Sequence, residues 1–317
     1  MEEEINIVSE EHDRRIVEKL NSILDAGEAA MVIIAPYSGL VVAPRVILYP
    51  YIDFPEEFNI KQAIDAIKRK LHEGNLLKEG KIERLFLLIQ SPGGGVISSF
   101  KVAKLIRENV KEVVSFIIHF AMSGGTLIVL ASNKVVMGPI SHVSPIDIQM
   151  KYKEDFISSN DIIRAFRGVS ALFEKISEEN APYSWKVLAE KLDPIMIQEV
   201  INVNELAKTY ALKLLMHEHS SLKNRAEEIV RRLVEGYPTH DYVIDYKELK
   251  EIFGEDNVIY AEELEENDKI RKLWYVFEEW FSKYKDLSSN RHIVRYYTKV
   301  EHTIQDKRRG ESNVQTP

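Results

Sequence analysis

Short uninterrupted apolar runs alternate along the chain with longer stretches in which apolar residues recur at three- and four-residue spacing. Uninterrupted runs are typical of strands buried on both faces, and the recurrent spacing is typical of amphipathic helices. Because the two kinds of segment alternate, the pattern predicts βαβ units with right-handed crossovers, and hence an α/β fold. The predicted strands lie at 29–35, 84–90, 112–119 and 134–137, with short strands and turns at 40–51, and the predicted helices lie at 10–24, 59–72, 96–109 and 126–131.

The second half of the chain is mainly helical in pattern. Residues 160–179 and 185–219 are long enough to form an outer helical layer that holds the walls of a groove. Shorter helices are predicted at 224–233 and 246–253, followed by a strongly aromatic helix at 262–285. One side of the aromatic helix is broadly apolar, so we expect it to pack on its own core, on another subunit or on a membrane surface.

The amino-acid composition excludes several kinds of partner and site. The 317 residues, 45% of them hydrophobic, are enough to bury a full core. A net charge of -8 provides no positive field for phosphates, so we expect no nucleic acid partner. The chain has no cysteine, which excludes disulfides, thiolate catalysis and thiolate zinc sites.

The chain shows no targeting or membrane-spanning pattern that we recognise. Its acidic start, Met1-Glu-Glu-Glu, differs from the basic start of a secretory signal, and we expect a cytoplasmic protein. The most apolar stretches, 29–35 and 126–137, are shorter than the roughly 18 apolar residues of a membrane span. No transmembrane segment is predicted, and peripheral membrane contact is left open.

Two glycine-rich loops each follow a predicted buried strand and each open a predicted helix. They are Ser91-Pro-Gly-Gly-Gly95 and Ala121-Met-Ser-Gly-Gly-Thr126. Because sites in open α/β sheets form outside the carboxyl ends of the strands, both loops should face one crevice. Glycines let backbone amides approach a ligand closely, and a serine on a strand-to-helix turn presents its hydroxyl as a nucleophile elbow does.

Each loop alone has an ordinary explanation. A glycine-rich turn before a helix also binds phosphate, and Ser123 also fits a simple helix N-cap. The pair is more informative, because an oxyanion hole and a nucleophile are needed at adjacent strand ends, in this order and one βα unit apart.

The same motifs resemble those of a known family. Ile89-Gln-Ser-Pro-Gly-Gly94 looks like the oxyanion loop of Clp-type proteases, and Ala121-Met-Ser-Gly-Gly-Thr126 resembles their nucleophile turn. The segments His119–Thr126, Gly138-Pro-Ile and Pro145-Ile-Asp147 look closer still to the serine dehydrogenase proteinase family, a branch of the Clp/crotonase superfamily. A third match, Tyr237–Ile244 followed by Glu248-Leu, resembles the late segment that supplies the acid of the Clp triad.

The resemblance implies a Clp/crotonase-like repeated ββα spiral core with an outer helical layer and a C-terminal helical extension. It also implies that Ser123 is the nucleophile and that the backbone N–H groups of Gly94 and Gly124 line the oxyanion hole. Such folds usually assemble, so a homo-oligomer is expected. The implied activity is that of a serine peptidase acting on a peptide or protein substrate.

The group that would activate Ser123 is less well defined. A serine hydroxyl needs an adjacent base, itself oriented by a third group. By our alignment the Clp histidine falls at Ile146 or Asp147, and the Clp acid falls near His240. We therefore favour a triad with exchanged chain order, in which His240 is the base and Asp147 holds its imidazole.

Two alternatives for the base stay open. A lysine such as Lys151, Lys153 or Lys208 would form a Ser–Lys dyad, as in the related signal peptide peptidases and stomatin-linked proteases. His142 would be the base if its loop were shifted. Each candidate also has an ordinary structural explanation, because lysines are mostly solvated surface and His240 and Asp147 lie where they can brace a turn.

Domain boundaries follow from the helical pattern and the extent of the resemblance. We predict an N-terminal amphipathic helix at 1–28 and a Clp/crotonase-like catalytic domain at 29–261. An aromatic C-terminal helical extension is predicted at 262–305 and a disordered tail at 306–317.

Two other functions are weighed against the serine peptidase. A crotonase-type acyl-CoA enzyme would use the same oxyanion architecture with glutamates as acid and base. A non-catalytic peptide-binding or assembly protein would keep a degenerate Clp-like groove. No cofactor is expected and no metal site either, because His217-Glu-His219 lacks a spaced third ligand.

Overall fold

A computed structural model describes residues 14–34, 40–43, 46–48, 52–152, 155–174, 176–288 and 293–298. The helices are α1 (14–23), α2 (Phe54–Glu73), α3 (Val96–Asn109), α4 (Gly124–Val129), α5 (Ser159–Phe173), α6 (Tyr183–Glu190), α7 (Pro194–Leu215), α8 (Ala226–Glu235), α9 (Tyr246–Phe253) and α10 (Lys269–Ser288). The strands are β1 (Glu28–Ile34), β2 (Leu40–Ala43), β3 (Val46–Leu48), β4 (Ile82–Gln90), β5 (Val110–Ile117), β6 (Phe120–Ala121), β7 (Lys134–Met137), β8 (His142–Val143), β9 (Gln149–Tyr152), β10 (Asp155–Ser158), β11 (Val258–Tyr260) and β12 (Ile293–Thr298).

In this described part of the chain, the main sheet has six strands in the order β11-β7-β5-β4-β1-β12. The strands from β11 to β1 pair in parallel, and β12 pairs antiparallel with β1. Helices α2, α3 and α4 lie in the crossovers that join β1 to β4, β4 to β5 and β5 to β7. The carboxyl ends of β4 and β5 therefore meet at one edge of the sheet, where the two glycine-rich loops begin.

Short segments that follow the carboxyl ends of the long strands also pair with one another. Ser91, just after β4, bridges to Ala121, and Val143 bridges to Ile244. Strand β6 pairs in parallel with β8. A long strand, a short pairing segment and a helix thus recur along the chain, which is the ββα repeat that the resemblance implies.

Alternate residues of the central strands face two separate cores, because successive side chains of a strand point to opposite faces. In β1, Met31 and Ile33 belong to one core, and Val32 and Ile34 belong to the other. Helices α2, α3, α4, α7, α8 and α9 contribute to the first core, and α1 and α10 contribute to the second. Beyond the first residues of β4, β5 and β7, the central strands are thereby buried on both faces, which explains their long apolar runs.

The aromatic helix α10 packs on the second face of the sheet. Trp274, Phe277 and Trp280 are buried, and the rings of Phe277 and Phe116 meet edge to face with centroids 4.9 Å apart. We expected the aromatic helix to pack on its own core, on another subunit or on a membrane surface. The buried side chains named above pack on the core of the chain itself.

Several helices begin at residues that differ from those the hydrophobic pattern predicts. Hydrogen bonds that cap the helix N-terminus determine where each of them starts. Helix α2 begins at Phe54 instead of residue 59, since the Glu56 carboxylate accepts the Asp53 N–H (2.9 Å). Helix α10 begins at Lys269 instead of residue 262, since Asp268 Oδ1 accepts the N–H of Ile270 (2.6 Å).

The predicted helix at 185–219 is divided into α6 and α7. Asp193 accepts the Ile195 N–H (2.8 Å) and Pro194 takes the first helical position, which together start a new helix. The hairpin β9–β10 and the strands β11 and β12 were not predicted, and the predicted tail at 306–317 lies outside the described residues. None of the helices described is long and apolar enough to cross a membrane.

Candidate active site

The two glycine-rich loops are hydrogen-bonded neighbours at the carboxyl ends of β4 and β5. The Met122 N–H donates to the Ser91 carbonyl (2.8 Å), and the Ser91 N–H donates to the Phe120 carbonyl (3.2 Å). Within the first loop, the Gly93 N–H donates to Ser91 Oγ (3.0 Å). These bonds tie the first loop to the turn that carries Ser123.

Ser123 lies between β6 and α4 in a strained backbone conformation. Its φ is 49° and its ψ is -114°. A residue with a side chain held in so sparsely populated a region costs about 1–3 kcal/mol, and such residues cluster at functional sites. Ser123 stands at the N-cap position, but its hydroxyl makes no capping bond to α4. The ordinary interpretation of Ser123 as a capping serine therefore does not account for its hydroxyl.

A neighbouring serine and threonine hold the strained turn. The Ser123 N–H donates to Ser144 Oγ (2.8 Å). Thr126 Oγ1 lies within hydrogen-bond distance of the carbonyl oxygens of Ala121 (2.8 Å) and Ser144 (2.9 Å). The turn after β6 and the loop after β8 are thus fixed to one another by buried hydroxyls.

The glycines of the two loops pack too closely for side chains. A Cβ on Gly93, whose φ is +127°, would lie 2.9 Å from Ser123 Cβ. A Cβ on Gly94 would lie 2.3 Å from the Ile52 carbonyl oxygen, and one on Gly124 would lie 2.9 Å from the Gly94 nitrogen. Gly124 is also the first residue of α4, where N–H groups have no carbonyl partner within the helix. Two backbone amides so close together are suited to hold a negatively charged oxygen.

Asp147 and His240 are in direct contact. His240 Nδ1 lies 2.7 Å from Asp147 Oδ1. The other carboxylate oxygen, Oδ2, accepts a hydrogen bond from Ser158 Oγ. Asp147 is buried and the His240 side chain is only 11% exposed, so this is a largely desolvated pair.

The partners of Asp147 decide its ionisation. Burial acts to raise the pKa of this carboxyl, but the hydrogen bond and charge of His240 and the hydrogen bond from Ser158 act in the opposite direction. The net pKa lies below the ordinary value of 3.8. Asp147 is therefore an anion at neutral pH, as a residue that orients an imidazole requires.

Ser123 and the Asp147–His240 pair line the same pocket, which has a volume of about 250 Å³. Gly94 and Gly124 line it as well. Its other lining residues are Asp53, Pro92, Gly95, Val96, Leu127, Ile146, Ile148, Gln149 and Phe156. The described lining contains no glutamate and no lysine. One concave site thus contains a hydroxyl, an imidazole with its carboxylate, and two loop amides.

Two of the alternative bases, His142 and Lys208, lie in other surroundings. His142 contacts the ring of His119 and does not line the pocket described above, and burial lowers its pKa. Lys208 is paired with Glu205 and Glu235 (2.7 Å each), and although burial lowers the pKa of Lys208, these two partners raise it overall. The side chain of Lys151 and all of Lys153 lie outside the described residues.

Ser144 and Ser158 belong to the site but were not identified in the sequence. Both act through hydrogen bonds to residues that were identified, and serine is too common for its position alone to indicate this. The one local signal is Ser158, which precedes a predicted helix and accepts the Asn160 N–H (3.1 Å) as a normal N-cap does. Its second bond, to Asp147, becomes visible only in the folded chain.

Comparison with known proteins identifies one family. A family model described as a ClpP-like SDH-type serine proteinase matches residues 78–266, which include both glycine-rich loops, Asp147 and His240. The fold predicted from the sequence is in agreement with this match.

Individual relatives are more distant. Two uncharacterized proteins of Methanocaldococcus jannaschii are 29% identical over 166 residues and 28% identical over 171 residues. The matches cover 52% and 54% of this chain and 51% of each relative, so the chain spans about half the length of these curated relatives. A solved mutant of the 1510-N membrane-bound stomatin-specific protease is 14% identical, with a TM-score of 0.40, over 66% of this chain and 74% of that one. At that TM-score the likeness carries no argument about function.

Proposed function

This chain belongs to the ClpP-like SDH-type serine proteinase family, and from that premise we propose that it hydrolyses peptide bonds through an acyl-enzyme on Ser123. His240 is the general base and Asp147 orients its imidazole. The backbone N–H groups of Gly94 and Gly124 form the oxyanion hole. The nucleophile, acid and base then follow one another in the chain as Ser, Asp and His.

The observation that carries the proposal is the contact between His240 and Asp147 in the pocket that Ser123 lines. Because Nδ1 of the imidazole faces the carboxylate, Nε2 is the nitrogen left to take a proton. A buried anionic carboxylate fixes that tautomer and stabilises the imidazolium formed when the proton is taken.

The chemical steps follow from these positions. Ser123 Oγ attacks the carbonyl carbon of the substrate while its proton passes to His240 Nε2, and the carbonyl oxygen becomes an oxyanion held by the two glycine amides. The C–N bond then breaks, and the amine leaves with the proton from His240. Water attacks the resulting ester in the same way, which releases the acid and restores the Ser123 hydroxyl.

The walls of the pocket favour apolar substrate side chains. Leu127, Ile146, Ile148 and Phe156 all line it, and Phe156 is 57% exposed. An uncovered aromatic ring beside a nucleophile gains free energy when an apolar group covers it. We therefore extend the proposal to peptides with an apolar residue next to the cleaved bond.

Self-association is the remaining part of the proposal. Tyr183 at the start of α6 and Ile195 at the start of α7 are 82% and 78% exposed. Leu188 and Ile201 of the same two helices are also exposed. Apolar side chains gathered on neighbouring helices favour a protein contact, and a second copy of the chain is the partner that the family suggests.

A fluorophosphonate probe tests the nucleophile and the base in one experiment. We expect the full chain to be labelled on Ser123, as mapped by peptide mass spectrometry, and a Ser123→Ala variant not to be labelled. His240→Ala and Asp147→Asn should slow labelling by about 10⁴-fold, since each removes the proton acceptor or its correct tautomer. His142→Ala is the matched control, because this histidine lies outside the pocket, and it should label at the wild-type rate.

Two outcomes would overturn the assignment. Equal labelling of wild type and Ser123→Ala, or no labelling of either, would remove Ser123 as a nucleophile. Normal labelling of His240→Ala would leave Ser123 in place but transfer the role of base to another group.

A further inference from the structure

The N-cap of helix α5 and the first two residues of the helix are polar and buried. Ser158, Ser159 and Asn160 are 4%, 0% and 8% exposed. Buried polar groups cost free energy unless they are hydrogen-bonded, so their partners indicate what the segment does.

Ser158 joins the helix to the candidate acid. Its hydroxyl donates to Asp147 Oδ2 and accepts the N–H of Asn160 (3.1 Å). The first bond uses the hydroxyl proton and the second fixes the oxygen at the N-cap of α5, so the hydroxyl has one orientation. Asp147 Oδ1 is bonded to His240 Nδ1. The two oxygens of the carboxylate therefore have different partners, and rotation of the carboxylate would break both bonds.

The cap itself is anchored to two other helices. Asn160 Nδ2 donates to the Val234 carbonyl at the end of α8 (2.5 Å). Asn204 of α7 donates to Asn160 Oδ1 (3.2 Å) and accepts a hydrogen bond from Ser159 Oγ (2.6 Å). A buried network of this kind is rigid when all its members are bonded, so it keeps the Ser158 cap in place.

The same helix holds the segment that carries His240. The Arg164 guanidinium donates to the carbonyl oxygens of Tyr237 (3.1 Å) and Pro238 (2.7 Å), just before His240. Asp161, one turn earlier in α5, pairs with Arg164 (2.7 Å) and directs it. Helix α5 thus contacts Asp147 at its first turn and the His240 segment at its second.

We propose that Ser158 is a positioning residue that locks the Asp147 carboxylate toward His240, with α5 as the rigid element that sets the distance between the two. This inference rests on the proposed function of the Ser123 site. It adds a fourth residue, one that touches neither substrate nor nucleophile and acts only through Asp147.

The test uses variants of two buried serines. Ser158→Ala removes the bond to Asp147. Ser115→Ala removes the bond of a buried serine in β5 to Ser132, outside the pocket lining and outside the network that holds Ser158, and leaves the acid untouched. Two properties are measured on the full chain: the Nδ1–H resonance of His240 in ¹⁵N-histidine NMR, assigned by its loss in His240→Ala, and the rate of fluorophosphonate labelling.

We expect Ser158→Ala to shift or broaden the Nδ1–H resonance and to slow labelling by about 10- to 100-fold, the usual worth of one hydrogen bond to a charged group. Ser158→Thr, which keeps the hydroxyl, should restore both properties. Ser115→Ala should leave the resonance in place even if it lowers stability. If Ser158→Ala does not fold, the measurement is made on Ser158→Cys, which keeps the volume but donates poorly.

The outcomes separate the two proposals. An unchanged resonance and an unchanged labelling rate in Ser158→Ala would overturn the positioning role while leaving Ser123 as nucleophile. Absence of labelling in the wild type, together with a resonance that depends on Ser158, would overturn the peptidase and leave the positioning role standing.

Discussion

On one face of the central sheet, helices and loops surround a pocket whose geometry depends on individual hydrogen bonds. On the other face, α10 covers the sheet with buried aromatic rings. Ser123 on the pocket side has a strained backbone held by Ser144 Oγ at 2.8 Å. Trp280 and Phe277 on the aromatic side are each 1% exposed. The first region depends on atomic positions, whereas the second depends on the amount of apolar surface that it removes from water.

The difference teaches that the pocket and α10 can be altered independently, because they lie at different places on one sheet and depend on different kinds of interaction. A change on the pocket side should alter reaction rates more than folding free energy. A change on the aromatic side should do the reverse. Each prediction below tests this separation. A variant that changes the reaction rate and the free energy of unfolding together would contradict it.

The largest effect is expected on the aromatic side. Trp280→Ala should lower the free energy of unfolding by about 3–5 kcal/mol, since a large buried ring is replaced by a cavity. The rate of fluorophosphonate labelling of the remaining folded protein should stay within about twofold of wild type, because α10 belongs to the second core and none of its described residues lines the pocket. Denaturant unfolding measures the first property. Glu278→Ala, an exposed change in the same helix, is the control and should cost almost nothing.

The next largest effect is expected in the first glycine-rich loop. Gly94→Ala places a Cβ 2.3 Å from the Ile52 carbonyl oxygen, so the loop must move and its amide leaves the pocket. Loss of one oxyanion donor costs about 10²- to 10³-fold in rate. Gly95→Ala is the matched control, because a Cβ there has no neighbour closer than 3.9 Å. Equal labelling rates in the two variants would contradict the role given to the Gly94 amide.

The smallest effect concerns pH. The folded protein holds the pKa of Asp147 below 3.8, so ionised Asp147 contributes stability above that pH, and this contribution is lost as the pH falls through the folded value. The stability advantage of wild type over Asp147→Asn should therefore shrink as the pH falls below 3.8. Unfolding by denaturant at neutral and acidic pH measures it. Asp65→Asn, changed on an exposed helix surface, controls for the loss of one negative charge.

The sequence predicts the parts of the fold that are buried on both sides. The apolar run of β4 is uninterrupted, and that of β5 is broken only by the buried Ser115, because helices cover both faces of those strands. Hairpin β9–β10 escapes prediction because each strand has four residues and mixes polar with apolar side chains. Strand β12 escapes it because its partner β1 lies at the other end of the chain.

The candidate site also has parts that the sequence predicts and parts that it does not. The glycine-rich loops are local motifs, so both the loops and Ser123 could be recognised from neighbouring residues. Asp147 and His240 are 93 positions apart, and their contact depends on how α5 and the segment before His240 pack. The sequence could place both residues among the candidates but could not choose between them, the lysines and His142, since that choice depends on distances between residues far apart in the chain.

The position of α10 near the end of the chain has a consequence for biosynthesis. Ala30, Phe86 and Phe116 form part of the sheet face that α10 covers, and all three leave the ribosome long before Trp280 does. Until α10 emerges, the nascent chain carries an uncovered aromatic surface on the parallel strands, and the sheet still lacks β12. Exposed apolar surface of this kind favours aggregation of a nascent chain during that interval.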